Sequence, residues 1–245
     1  MSTKIVPGSL IATQTAEAVA KEATTRISRY LREGVTDRGG ATIALSGGST
    51  PKATYELLAK EPIDWTKVQF FFVDERAVPP DHERSNFRLA KSAWLDPAKV
   101  PEKNVFRMPA DEADAAAAAK RYEDLVRANV RLKKDGLPNI DVVVLGIGDD
   151  GHTASLFPKR PEVDVTDRLV VAVPAEGDRE ARLTMTAPLL EHARASVILA
   201  VGKSKHLPLE KVWQVTGTTA ETPARIVRSF KGSVTWVIDR AAGGM

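Results

Sequence analysis

The chain has 245 residues, a formal net charge of +3 and no cysteine. The last point excludes disulfides, thiolate chemistry and cysteine-ligated zinc. Its 43% hydrophobic and 27% charged residues are those of an ordinary globular protein. No basic run interleaves with aromatics as in a nucleic-acid binder, and no stretch reaches the roughly 20 apolar residues needed to cross a bilayer. The opening residues lack an apolar core of signal-peptide length. We therefore expect a cytoplasmic protein with neither nucleic-acid nor membrane partners, whose mild positive bias suits a small anionic ligand.

In chain order, Ala18, Val19, Ala23, Ile27, Tyr30 and Leu31 fall at helical spacing. They predict a helix over 15–32, stopped by Gly34. A short buried strand is expected over 41–45 and a helix over 51–60, then an apolar strand over 68–73. Helices follow over 86–95, closed by Pro97, and over 111–132, where Asp111, Glu112 and Asp114 suit the positive end of the helix dipole. Residues 142–145 read as a strand buried on both faces, as in a parallel sheet. Short β-branched strands are expected over 168–173, 196–201 and 233–238, with helices over 187–193 and 207–216 between them. This alternation predicts an α/β fold with a largely parallel sheet. No linker divides the chain, so a single domain over 1–245 is expected.

Four groups of residues could carry chemistry. Ser46-Gly47-Gly48-Ser49-Thr50-Pro51 lies between a strand and a helix. Its glycines let N–H groups crowd around an anion, its hydroxyls add donors, and Pro51 suits the first helical position. A tight turn with a Ser/Thr cap explains the same residues. Asp74-Glu75-Arg76 ends an apolar strand, where three charges must reach solvent, one another or a ligand. Arg76 could clamp an anion through its planar fork. Residues 140–158, IDVVVLGIGDDGHTASLFP, deliver Asp149, Asp150 and His152 to the carboxyl edge of the sheet, where open α/β folds place ligands. Finally, Arg179, Arg182, Lys203 and Lys205 offer cations near later strands.

Gly146-x-Gly148-x-x-Gly151 matches the dinucleotide fingerprint formally. That fingerprint needs a full helix after the glycines and an acid about 20 residues on. Here Pro158 and Pro161 stop any helix after about two turns. Asp164 and Asp167 precede the next strand instead of ending it, so a nicotinamide cofactor is not expected. The four histidines show no metal-ligand spacing, and no G-x-S-x-G elbow supports a serine hydrolase.

The segments Leu45-Ser46-Gly47-Gly48-Ser49-Thr50-Pro51 and Val73-Asp74-Glu75-Arg76, with His82 and Ser85-Asn86, occur in this order before Leu145-Gly146-Ile147-Gly148-Asp149-Asp150-Gly151-His152-Thr153-Ala154-Ser155-Leu156-Phe157-Pro158. Arg182-Leu183-Thr184, Gly202-x-x-Lys205 and Trp236-Val237-Ile238-Asp239 follow. Together they resemble the 6-phosphogluconolactonases, within the wider glucosamine-6-phosphate deaminase/isomerase-like group. Asp149 stands where those lactonases often carry proline, and Arg225 where glutamine is common.

The resemblance implies a three-layer, modified Rossmann-like fold: a largely parallel, twisted sheet with helices on both faces. It implies hydrolysis of 6-phospho-D-glucono-1,5-lactone in the oxidative pentose phosphate pathway, with no cofactor or metal. His152 would be the base that activates water, and Asp150 would orient or charge-balance it, although a loop cap explains Asp150 as well. Gly47, Gly48, Ser49, Thr50, Asp74, Arg76, Arg182 and Lys205 would bind the phosphorylated sugar acid. The deaminases carry a glutamate five residues after the histidine, which here is Phe157, a side chain that cannot transfer a proton. A sugar-phosphate sensor is a rival of another class, but its usual helix-turn-helix has no segment to occupy before the first strand.

Overall fold

The structure, a computed structural model, describes residues 3–245. Its centre is a sheet of six parallel strands: β1 (Ser9–Thr13), β2 (Ala41–Leu45), β3 (Val68–Phe72), β5 (Val142–Gly146), β8 (Ala195–Ala200) and β9 (Ser233–Asp239). They lie in the order β1-β9-β8-β5-β2-β3. All five residues of β2 and the first four of β5 are buried, as expected of strands covered on both faces. Helices α1 (Ala16–Arg38), α2 (Ser49–Leu58), α4 (Ala115–Asn129) and α6 (His206–Trp213) flank the sheets, with shorter α3 (Asn86–Ala90), α5 (Ala187–Glu191) and α7 (Arg240–Gly243).

Several boundaries differ from the expected ones. Helix α1 does not stop at Gly34, which is buried inside it; a Cβ there would stand 2.6 Å from that of Ala41. Glycine is there to let the helix lie against β2. The stop is Gly39, left-handed at φ 76°. Helix α2 begins at Ser49, so Pro51 takes its third position instead of its first, still within the turn that needs no N–H donor. Helix α4 spans less than 111–132, because Asp114 caps it by accepting from the Ala117 N–H at 2.9 Å. After Ala90 the 86–95 helix widens into a π turn over Lys91–Leu95. Trp94 there packs edge-on to Phe70 at 5.1 Å and close to Tyr55 at 5.5 Å, tying the turn to β3 and α2.

Sequence periodicity disclosed neither β1, an edge strand of the central sheet, nor a second sheet. Strands β4 (Asp74–Arg76), β7 (Arg182–Met185) and β6 (Val170–Val173) form it, antiparallel, in the order β4-β7-β6. Val73 joins the two sheets. Its N–H donates to the Leu45 carbonyl of β2 at 2.9 Å, and its own carbonyl accepts from Met185 of β7 at 2.7 Å. The chain leaving β3 is thereby carried across the carboxyl edge of the central sheet, bringing Asp74, Glu75 and Arg76 with it.

Candidate active site

A cleft of about 230 Å³ lies where the turns after β2 and β5 meet the small sheet. Gly47 and Gly48 come from the first turn, Gly146, Ile147, Gly148, His152 and Ala154 from the second. Asp74, Arg76 and Asn86 line it from β4 and the start of α3, Arg182 from β7, and Lys205 from the approach to α6. Two glycine-bearing turns about 100 residues apart therefore share one cavity. Ser49 and Thr50 do not line it; they sit just beyond, in the first turn of α2. Asp150 also lies outside the lining, behind His152.

The first turn is held from below. The Ser46 hydroxyl donates to the Val144 carbonyl at 2.7 Å, and the Tyr55 hydroxyl donates to the Ser46 carbonyl at 2.8 Å. Gly47 leaves no room for a side chain, since a Cβ would overlap the Asn86 amide. The N–H groups that open α2 are free of intrahelical partners and face an anion favourably.

The second turn folds back on itself, with Gly148 N–H donating to the His152 carbonyl at 2.9 Å and Gly151 N–H to Gly148 at 3.0 Å. No helix follows Gly151, only turns through 158, which removes even the two turns allowed from the prolines. A Cβ on Gly148 would overlap the imidazole, so His152 packs onto bare backbone. Imidazole Nδ1 lies 2.6 Å from Asp150 Oδ1, the same oxygen that accepts from the His152 N–H at 3.0 Å. Burial resists ionisation of Asp150, but these two bonds outweigh it and hold its carboxyl down at about 2. With Nδ1–H given to Asp150, Nε2 is the nitrogen left to accept a proton. The buried Phe157 ring lies 4.7 Å from the imidazole, and the Arg179 guanidinium covers Phe157 at 3.7 Å. Ala154 adopts the left-handed φ of 52°, a strained conformation at the cleft wall.

The charges of β4 are each accounted for. Buried Glu75 accepts from the N–H groups of Arg76, Asn86 and Phe87 and from the Ser85 hydroxyl, at 2.8–2.9 Å. Burial pushes its carboxyl up while these four bonds oppose the shift. Its work is to fasten the start of α3 to β4. Asp74 accepts from the Ser155 hydroxyl at 2.6 Å and the Asn86 amide at 3.2 Å, with Arg182 at 3.5 Å. Arg76 donates to the Arg84 carbonyl at 2.6 Å and to Asn86 Oδ1 at 3.0 Å. The Nε atoms of Arg76 and Arg182 are buried with no protein partner among the described residues. Burial lowers the Arg182 pKa against the pull of Asp74, and Arg76 nearby lowers it further. An anion in the cleft relieves both effects. At the rim, Lys205 meets Asp149 at 2.6 Å, a bond that holds the Asp149 carboxyl below its usual range.

The sequence reading left Gly146, Ile147, Gly148 and Ala154 of the wall out of the site, and with them two polar side chains, Asn86 and Ser155. Ser85-Asn86 and Ser155 were visible in the motifs, but nothing in their spacing shows that both grip Asp74 from different elements. Among the described residues no group of three or more His, Asp or Glu side chains is placed to hold a metal.

Comparison with known proteins shows the family and the fold. The model of the family described as glucosamine-6-phosphate isomerases/6-phosphogluconolactonase matches residues 14–236. A 6-phosphogluconolactonase of Synechocystis sp. is 41% identical over 220 residues, covering 90% of this chain and 89% of that protein. One from Rhizobium meliloti is 38% identical, covering 86% of this chain and 87% of its own. The 6-phosphogluconolactonase structure from Trypanosoma brucei superposes with a TM-score of 0.87 at 27% identity, covering 97% of this chain and 98% of that one. A monomeric glucosamine-6-phosphate deaminase, at 22% identity and a TM-score of 0.78, shares the fold. By its sequence over nearly its whole length, the chain belongs to the glucosamine-6-phosphate isomerase/6-phosphogluconolactonase family.

Proposed function

We propose that this chain hydrolyses 6-phospho-D-glucono-1,5-lactone to 6-phosphogluconate, as a step of the oxidative pentose phosphate pathway. The observation that carries the reading is one cleft lined both by an imidazole backed by a carboxylate and by three cations, Arg76, Arg182 and Lys205. A lactone is an activated ester, so water can attack its carbonyl without a covalent enzyme intermediate. His152 Nε2 takes a proton from water as the oxygen bonds to C1, and the negative charge develops on the carbonyl oxygen. The C1–ring oxygen bond then breaks, and the imidazolium returns its proton to the departing oxygen. Positioned acid–base groups typically contribute on the order of 10²–10⁴ in rate. Asp150 keeps the imidazole in the tautomer this requires.

The guanidinia of Arg76 and Arg182, Lys205 and the Gly47–Gly48 turn hold the phosphate, with Ser49 and Thr50 supporting the turn as part of α2. Asp74, an anion, repels phosphate; its place is to fix Arg182 and accept a sugar hydroxyl. Phe157 argues against deamination, because an apolar ring fills the position from which a second acid would act. A single domain over 1–245 and a cytoplasmic location belong to the same proposal.

The test is an assay of lactone loss with the purified protein, with the product identified by NMR. We expect loss well above spontaneous hydrolysis and 6-phosphogluconate as product. Ammonia release from an amino-sugar phosphate would move the chain to the deaminases, and tight binding without turnover would make it a sensor.

A further inference from the structure

A second cavity, of about 300 Å³, opens where β2, β3 and β5 begin, at the opposite edge of the sheet from the cleft. Its wall includes Arg38, Lys67 and Arg131 against one carboxylate, Asp141. That carboxylate is already neutralised: Oδ1 lies 3.0 Å from the Arg38 guanidinium and 3.2 Å from Arg194 Nε, and Oδ2 accepts from the Thr42 N–H and hydroxyl at 2.9 and 3.0 Å. Of the remaining cations, Lys67 is 3.7 Å from Asp64, an exposed carboxylate outside the wall, and Arg131 meets no carboxylate among the described residues, so the wall itself stays positive. Arg131 uses one of its donors on the Arg38 carbonyl at the end of α1, and a guanidinium has five. Arg38 Nε is buried without a protein partner among the described residues, which is expensive unless a ligand oxygen or water meets it.

The same pattern marks the cleft: three cations, one carboxylate locked by its neighbours, and buried arginine Nε atoms with nothing to donate to. The end of α1 points its negative pole here, which explains one role of Arg38 and Arg131 but not the unpaired Nε. Gln69 on β3 adds an uncharged amide to the wall, suited to a hydroxyl.

We propose that this cavity is a second anion site, taking a small hydroxylated molecule through its phosphate group. The claim does not rest on the lactonase reading. It is tested by calorimetric titration of inorganic phosphate, and separately of glucose 6-phosphate, at constant ionic strength. The protein carries Arg76→Ala and Lys205→Ala, which weaken the cleft, and is compared with the same protein also carrying Lys67→Ala and Arg131→Ala. Lys67 and Arg131 are exposed, so the fold should tolerate their loss. We expect saturable binding in the first protein, weakened roughly tenfold or more in the second, since bonds to an ionised partner are the strong ones. Amide resonances of Gly39 and Gly40, which line the cavity, should shift on titration. We expect the sugar phosphate to bind more tightly than phosphate; equal binding overturns the hydroxylated ligand. Absence of saturable binding, or binding indifferent to Lys67 and Arg131, overturns the site, and lactone turnover by the unmodified protein is unaffected by either result.

Discussion

Asp150 stays ionised through the whole range in which an imidazole changes charge, because its hydrogen bonds to His152 hold it at about 2 against an ordinary 3.8. The sign follows from linkage: its contribution is complete above its ordinary value and is lost only as pH falls through about 2. The acid limb of kcat should therefore show one proton uptake, with no second ionisation until strongly acid conditions. In Asp150→Asn the imidazolium loses its counter-charge, and kcat should fall on the order of tenfold or more while KM holds. A pH–rate series on both proteins checks this, and equal kcat would reduce Asp150 to a loop cap. Phe157 supplies the other constraint on the imidazole. One hydrogen bond fixes a point on the ring, and the aromatic contact at 4.7 Å limits its tilt. Phe157→Leu should lower kcat severalfold with little change in KM, by steady-state kinetics with a Tm measured alongside.

At the scale of elements, two glycines make opposite demands. Gly148→Ala drives a methyl into the imidazole, so it should remove most of kcat yet shift Tm little, because the clash is with half-buried His152 and exposed Asp150 side chains that can turn aside. Gly34→Ala removes a poor helix former, which alone gains roughly 1 kcal/mol. The added methyl meets Ala41 at 2.6 Å, however, and overpacking of this kind costs about 1–3 kcal/mol. The collision should win, and thermal unfolding should show a lower Tm with kcat intact. Gly34 also shows why boundaries were harder to read than elements. Composition marks a glycine as a stop, whereas close approach of α1 to β2 is a tertiary fact. The buried strands β2, β3 and β5 were legible because continuous apolar runs have few other uses. The short strands β4 and β7 were not, since charges and threonine in them serve the site and mask any alternation. His152, Arg76, Arg182 and Lys205 could be named from their motifs. The clamp on Asp74 by Ser155 and Asn86 could not, because its members come from three elements that only the small sheet brings together.

Across the molecule, the central sheet presents two turns at one edge, and the small sheet swings β4 and β7 over them. Val73 makes this possible by bonding to both sheets. The result is a base and three cations lining one cleft, the arrangement that the proposed phosphorylated lactone requires. The division of labour is the core of the account: cations bind, His152 reacts. The direct measurement is steady-state lactone hydrolysis by His152→Ala, with product binding followed separately by calorimetry. We predict a kcat lower by on the order of 10²–10⁴ with 6-phosphogluconate binding nearly unchanged. Turnover at the unmodified rate in that variant would contradict the account.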